Sequence, residues 1–202
     1  MKKLTTALVL MVTLLPALSG CGRVRYPAYY TLNLPAPPDP PAAENVHTSI
    51  AVREFQSPNY LRQGPIVYRT TPEEIGFYEY HRWAADPRTI VTSAVVDHLR
   101  AGGQFSMVSL YDGRPNNDYV FSGKLEKLEE VDYQAKVQIE VAISAQITRV
   151  ATGATVWSNA VSETRPVSQR NVPGVVSEMN RTKDLAITKL LSTVPAPLGS
   201  ER

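Results

Sequence analysis

Val137-Gln-Ile-Glu-Val-Ala-Ile-Ser-Ala-Gln-Ile147 is the most regular pattern in this chain, because an apolar residue stands at every second position. Successive side chains of a strand point to opposite faces, so this period of two predicts a strand with one buried face and one solvated face. Antiparallel sheets commonly have such a half-solvated face. We therefore predict a long strand over 135–150 in an antiparallel arrangement.

Strand patterns lie on both sides of this stretch. After it, Ala151-Thr-Gly-Ala154 predicts a hairpin turn into a strand over 155–163. Before it, strand composition predicts strands over 29–34, 49–55, 66–69, 76–83, 105–110 and 119–128. In 49–55, Ile50 and Val52 alternate with polar neighbours. The charged residues Glu126, Glu129 and Glu130 are interpreted as a solvated strand end and turn.

Two segments have the spacing of amphipathic helices. In the first, Asp86 caps the free amides, Pro87 occupies the first turn and Gly102-Gly103 ends the helix. The second runs over 173–193, and its stripe consists of Val175, Met179, Thr182, Ala186 and Leu190. Both helices must bury their stripes on the sheet. We therefore predict an α+β fold, a two-layer sandwich of a mixed, largely antiparallel sheet with two helices on one face.

The first twenty residues have the three parts of an export signal. Lys2 and Lys3 precede an apolar stretch over 4–18, which is shorter than the roughly 20 residues of a membrane-spanning helix. Leu18-Ser-Gly-Cys21 resembles the lipobox of bacterial lipoproteins. That resemblance implies cleavage between Gly20 and Cys21, a diacylglycerol on the Cys21 sulfur and acylation of the new amine. Several acyl chains anchor a protein stably, whereas one is marginal.

The residues around Cys21 also bear on location. Cys21 is the only cysteine, so a lipidated chain has no disulfide and no thiolate metal site. Gly22 is not the aspartate that resembles an inner-membrane retention signal in enterobacterial lipoproteins. We therefore expect the chain on the periplasmic face of the outer membrane, held there by its lipid.

The rest of the chain divides by composition. We expect a lipidated tether over 21–28, one α+β domain over 29–195 and a flexible tail over 196–202. A proline-rich loop over 35–45 is interpreted as a spacer, with a ligand for a proline-binding domain as the alternative. Once Lys2 and Lys3 leave with the signal, 19 basic side chains face 19 acidic ones. This balance argues against nucleic acid as a partner.

The chain resembles the ABC-type transport auxiliary lipoprotein family, which includes the paraquat-inducible lipoprotein component of MCE-type lipid transport systems. The segments that carry this resemblance are Tyr29-Tyr-Thr-Leu32, Ile50-Ala-Val52, Ile66-Val-Tyr-Arg69, Gly76-Phe-Tyr-Glu-Tyr-His-Arg-Trp-Ala84, Pro87 with its helix, Gly123 and Trp157. Asp86-Pro87 departs from the Pro-Pro pair expected there. The resemblance implies a sandwich like the N-terminal domain of TolB. It also implies a role beside an MCE-domain protein, an ABC permease and an ATPase.

One candidate interface lies in the aromatic segment. If this strand alternates regularly, Tyr78, Tyr80 and Arg82 share one face, opposite Phe77, Glu79, His81 and Trp83. Aromatic residues and arginine are enriched at protein interfaces, so the first three residues are a candidate partner interface. The alternative is that they have only a structural role, with Trp83 packed under the first helix.

The sequence contains no motif for a catalytic or metal site. His47, His81 and His98 lie on separate predicted elements without ligand spacing, and no nucleophile elbow or phosphate loop occurs. We therefore expect no catalytic residues, no metal and no cofactor beyond the lipid on Cys21. The first hypothesis is a docking subunit of a lipid transporter. The alternatives are an outer-membrane assembly or envelope-integrity factor that partners a barrel protein, and a lipoprotein hydrolase. A homo-oligomer stays open.

Overall fold

The computed structural model describes residues 25–32, 47–133, 136–196 and 198, which form an eight-stranded mixed sheet and two α-helices. The strands are β1 (Ala28–Tyr30), β2 (Ser49–Val52), β3 (Pro65–Arg69), β4 (Ile75–Trp83), β5 (Met107–Leu110), β6 (Tyr119–Tyr133), β7 (Lys136–Arg149) and β8 (Thr155–Pro166). The helices are α1 (Pro87–Ala101) and α2 (Val172–Leu191), and a 3-10 helix spans Asn59–Arg62. In the described part of the chain, no helix has the length and apolarity needed to cross a bilayer.

The long strand β6 is the centre of the sheet. Along one edge it pairs antiparallel with β7, which in turn pairs antiparallel with β8. Its other edge is shared by two parallel neighbours, β2 at the beginning of β6 and β3 near its end. Strand β5 extends the sheet beyond β2, whereas β4 and then β1 extend it beyond β3. The strands β1 and β8 therefore lie at opposite edges.

The core lies between the sheet and the helices. The predicted alternation of β7 is confirmed, because Ile139, Val141, Ile143, Ala145 and Ile147 are all buried. Helix α2 packs on β7 and β8, and α1 contacts α2, β2 and β5. The five residues predicted as the α2 stripe are buried as well. The predicted α+β fold is thus confirmed, with long antiparallel strands on one side of β6 and short, mostly parallel strands on the other.

Local signals in the sequence account for the ends of several elements. The Asp86 carboxylate accepts a hydrogen bond from the Arg88 N–H at 2.9 Å and caps α1 as predicted. Asn171 caps α2 by accepting from the Gly174 N–H at 2.8 Å. In the β7–β8 turn, Gly153 has a φ of 71°, a left-handed conformation that favours glycine. The expected tail is described only at Ala196 and Leu198, where the Leu198 carbonyl accepts from the Tyr119 hydroxyl.

Three expectations for strands were wrong. The strand expected over 29–34 ends at Tyr30. The strand expected over 49–55 ends at Val52, and Ala51 is buried like its neighbours because β2 lies between two parallel strands. The solvated end expected at Glu129 and Glu130 is instead buried, because β6 continues to Tyr133 and pairs on both edges.

Strand β5 forms an edge of the sheet that is partly covered. The Val108 carbonyl accepts hydrogen bonds from the Arg100 guanidinium at 3.1 and 3.3 Å. Arg100 lies in the last turn of α1, so the helix supplies a cap for the edge strand. Side chains that occupy such backbone groups limit pairing with another chain.

Candidate functional site

The first described residues run along the outer edge of β4. Strand β1 pairs parallel with β4, and Ala28, Tyr29 and Tyr30 lie opposite His81, Arg82 and Trp83. Residues 25–30 and 77–83 together are called the tether edge here, because the chain that enters it begins only four residues after Cys21. Cys21, Gly20 and the proline-rich loop over 35–45 lie outside the described residues.

Side chains and a backbone amide of the domain hold this first segment in place. The Tyr30 hydroxyl and the His81 Nδ1 are 2.9 Å apart, and the Ala84 N–H donates to the Tyr30 carbonyl at 2.8 Å. Further along, Leu32 is buried and its carbonyl accepts from Lys183 Nζ at 3.1 Å. Burial lowers the pKa of the Lys183 ammonium, and the nearby Asp184 carboxylate opposes that shift.

Tyr78, the first residue of the predicted interface, has internal partners. Its hydroxyl donates to Glu130 Oε2 at 2.7 Å, and its ring centroid is 5.7 Å from that of His81 and 5.3 Å from that of Tyr68. Burial, followed by the hydrogen bond to Glu130, raises the pKa of the Tyr78 hydroxyl. The contact with His81 shows that the expected strict alternation was wrong. The cause is an irregularity in the pairing of β3 with β4.

Tyr80 and Arg82 lie at the tether edge itself. The Arg25 guanidinium carbon is 5.6 Å from the centroid of the Tyr80 ring, a cation–π distance. Arg82 is opposite Tyr29 in the register of β1 and β4. All three side chains are half-buried, Tyr80 and Arg82 beside the first described segment and Tyr78 against Glu130. Their role as a partner interface stays a prediction.

Three residues of the tether edge have exposed aromatic side chains. Tyr26 is 83% exposed, Tyr29 is 64% exposed and Phe77 is 36% exposed. Sequence reasoning did not single out Tyr26 or Tyr29 as functional residues. The available signal was the position of two tyrosines within eight residues of Cys21, the predicted lipidation site.

The sheet face opposite the helices carries a shallow groove of about 680 Å³. Its lining includes Ser122, Ser144, Gln146 and Ser158. The Ser144 hydroxyl donates to Glu126 Oε1 at 2.9 Å, a pairing that a hydrolase would need. Burial pushes the pKa of Glu126 up, but hydrogen bonds from Lys124 and Ser144 bring it below its ordinary value. A carboxylate with a lowered pKa is a poor general base near neutral pH, so this pair gives little support to hydrolysis.

The three histidines lie apart from one another. His81 contacts Tyr30, whereas His98 lies on α1 with its Nδ1 2.9 Å from the Ala94 carbonyl. His47 lines a separate surface hollow before β2. Among residues 25–32, 47–133, 136–196 and 198, no three histidine, cysteine, aspartate or glutamate side chains come together as a metal site.

The edge opposite the tether is the unpaired side of β8. The Val167 N–H, one residue past β8, donates to the Val137 carbonyl, so backbone groups of odd-numbered residues of β8 face β7. Those of Ser158, Ala160, Ser162 and Thr164 consequently point outward. The side chain of Asn159 accepts from the Ala160 N–H at 2.8 Å, and no cap is found on the other three within the described residues.

Comparison with known families adds to this geometry. Residues 30–189 match the ABC-type transport auxiliary lipoprotein component family. The chain belongs to this family. The match covers both layers of the sandwich, from the end of β1 to the last turn of α2. As a member of a lipoprotein family, the auxiliary lipoprotein has a membrane-anchored location in the cell envelope, and its partners belong to an ABC-type transport system.

Solved structures share the fold of the auxiliary lipoprotein. A DUF330-family protein from Xanthomonas campestris superposes with a TM-score of 0.70 at 19% identity, covering 81% of this chain and 92% of that chain. An uncharacterized protein superposes with a TM-score of 0.65 at 11% identity, covering 84% of this chain and 99% of that chain. A hypothetical protein from Chlamydia trachomatis superposes with a TM-score of 0.51 at 5% identity, covering 77% of this chain and 100% of that chain. No curated protein sequence matches the chain.

Proposed function

We propose that this chain is a non-catalytic outer-membrane lipoprotein that docks the periplasmic component of an MCE/ABC-type lipid transport system to the outer membrane. Family membership supports an auxiliary role in ABC-type transport. The observation that carries the docking role is the separation of two edges. The tether enters at β1, and at the opposite edge the twelve-residue strand β8 has one side without a partner strand among the described residues.

The lipid on Cys21 supplies the membrane end of this bridge. Arg25 is four residues after Cys21, and four extended residues span at most about 14 Å. The domain is thereby confined to a layer next to the outer membrane. Confinement raises its effective concentration for any component that crosses the periplasm, without any additional contact.

The edge of β8 supplies the protein end. An extended segment added to an exposed edge gains main-chain hydrogen bonds, and β8 offers outward groups at Ser158, Ser162 and Thr164. From β1 to β8 there are five steps between neighbouring strands, about 24 Å at about 4.8 Å each. A partner strand at β8 therefore sits on the far side of the domain from the anchor. The partner is the MCE-domain protein, with the permease and ATPase in the same system.

Two substitutions test the two ends separately. Cys21→Ala removes the lipid acceptor, so the protein should leave the membrane fraction. Ser162→Pro removes an outward N–H of β8 without touching a bond to β7, so transporter subunits should no longer co-purify from detergent extracts. Ser162→Ala keeps the N–H and is the matched control.

Each outcome bears on one claim. Membrane localisation of Cys21→Ala would refute the anchor. Full co-purification with a folded Ser162→Pro and a folded Thr164→Pro would refute docking at β8. Recovery of a barrel protein in place of transporter subunits would favour an outer-membrane assembly role.

A further inference from the structure

The exposed large apolar side chains of the described residues fall into two groups. Tyr26, Tyr29 and Phe77 lie at the tether edge, whereas Met107 and Leu110 lie on β5. The first group is next to the place where the chain leaves toward Cys21. Scattered exposed apolar residues need no explanation, but three aromatic rings beside a membrane anchor form a pattern with a physical meaning.

Covalent geometry places these rings close to lipid. Tyr26 is five residues after Cys21, and five extended residues span at most about 18 Å. If the acyl chains of Cys21 are inserted, Tyr26 cannot stand farther than that from the headgroup layer. Tyr29 follows within the same sheet edge, and Phe77 lies on the strand along which residues 25–30 run.

We propose that the tether edge is a membrane-contacting surface, with the rings of Tyr26, Tyr29 and Phe77 lying among the lipid headgroups. Tyrosine suits this position because its ring is apolar and its hydroxyl remains hydrated at the interface. The proposal rests on the lipid anchor proposed above and deepens it. The anchor limits the distance to the membrane, and the aromatic edge fixes which side of the domain faces it.

Hydrogen bonds fix the first segment to the rest of the domain, so a lipid contact of this segment orients the whole domain. The contact of Tyr30 with His81 and that of Leu32 with Lys183 hold β1 against the domain. A lipid contact made by Tyr26 or Tyr29 therefore positions the whole sandwich. The edge of β8 then points away from the membrane, where a periplasmic partner can reach it.

Charge does not account for the contact. Arg25 and Arg82 lie on the tether edge, but Glu79 lies on the same strand and Glu73 and Glu74 are exposed just before it. Counting Arg23, which precedes the edge in the sequence, three basic residues stand against three acidic ones, so attraction to anionic lipid is not expected to drive the contact. Salt screens attraction between exposed charges. Because the proposed contact is made by aromatic rings and not by charges, it should be insensitive to salt.

A fluorescent probe tests the orientation directly. The lipidated full chain is reconstituted in vesicles of phosphatidylethanolamine and phosphatidylglycerol that contain nitroxide-labelled lipid. Tyr29→Cys and, as control, Leu110→Cys each supply one free thiol for an environment-sensitive dye, because the Cys21 sulfur is acylated. Interfacial groups lie about 5–10 Å into the boundary, so the probe at 29 should lose about half of its emission or more, at low and high salt. The probe at 110 should not.

Two further readouts separate the possible failures. Vesicle flotation reports the anchor alone, so loss of flotation would mean that the anchor has failed. Flotation with equal, weak quenching at positions 29 and 110 would overturn the proposed contact and leave the anchor intact. In a third protein, Ala28→Cys carries the dye and Tyr26, Tyr29 and Phe77 are changed to serine. It should float normally and lose the quenching, whereas retained quenching would also overturn the proposal.

Discussion

Two adjacent glutamates of β6 are buried on opposite faces of the sheet. Glu129 is fully buried and forms an ion pair with Arg69, with Nε and Oε1 2.9 Å apart. Glu130 accepts its hydrogen bond from Tyr78 on the other face. Buried carboxylates need partners, since an unpaired charge away from water is costly. Both partners come from strands that the chain forms some fifty to sixty residues earlier.

We predict that Arg69→Met destabilises the domain by about 3 kcal/mol, because it leaves the Glu129 carboxylate buried without its cation. Urea unfolding would measure the loss. Lys127→Met is the matched control, since the Lys127–Glu140 pair is half-exposed and should be worth about 0–1 kcal/mol. Equal losses in the two variants would mean that the Arg69 pair gains nothing from burial.

Glu130 should make stability depend on pH. Burial raises its pKa above the ordinary 4.5, the negative Asp132 adds to the rise, and the hydrogen bond from Tyr78 opposes it. The folded state therefore binds the proton more tightly than the unfolded state. The stabilisation is complete below about pH 4.5 and is lost as the pH rises through the raised pKa. Glu130→Gln should flatten this decline in unfolding free energies measured from pH 4 to 8, and an unchanged slope would contradict the assignment.

These glutamates also show where sequence reasoning stopped. Glu126, Glu129 and Glu130 were all expected in solvent, and the expectation was wrong for Glu129 and Glu130, because nothing in the local sequence indicates that β3 and β4 supply partners for them. The sequence shows Arg69 and Tyr78, but it does not show that they pair with Glu129 and Glu130, because this pairing depends on the order of the strands in the sheet. The alternation of β7 was predictable, because a strand with one buried and one solvated face alternates apolar and polar residues whatever its neighbours are.

The two helices and the irregular strand β4 differ in how their sequences specify them. Helix α1 was predictable from local chemistry, since Asp86, Pro87 and the final glycines act within one turn. In β4 the alternation was misread, because the irregularity opposite Pro65 and Val67 depends on β3. Gly123 is similar. A side chain there would meet the Phe55 ring at 2.3 Å, and this close approach is absent from any local pattern.

We predict that Asp86→Ala costs about 1 kcal/mol by removing the cap of α1 and leaving the Arg88 N–H without an acceptor. Thermal unfolding monitored by circular dichroism would show a lower melting temperature. Asp97→Ala is the control on the same helix, because its ion pair with Arg100 is exposed and 3.8 Å long. A loss in Asp86→Ala no greater than in this control would argue against the cap.

For the molecule as a whole, the short tether and the held β1 act together. A ten-residue Gly-Ser spacer inserted after Val24 adds about 18 Å of average reach. We predict that such a protein still floats with vesicles but shows weaker quenching of a probe at position 29. Vesicle assays on the spacer variant and the parent would measure both quantities. Unchanged quenching would mean that the aromatic edge binds lipid independently of the tether length.

The guanidinium that Arg100 places on the Val108 carbonyl has a consequence for assembly. Within the described residues, three strands have a free edge: the three-residue β1, the four-residue β5, whose Val108 carbonyl is occupied by Arg100, and the twelve-residue β8. Growth by adding strands therefore ends after a single addition, since a bound copy has no second long row aligned to recruit the next. A densely populated membrane surface can thus hold many of these molecules without their polymerising into ribbons.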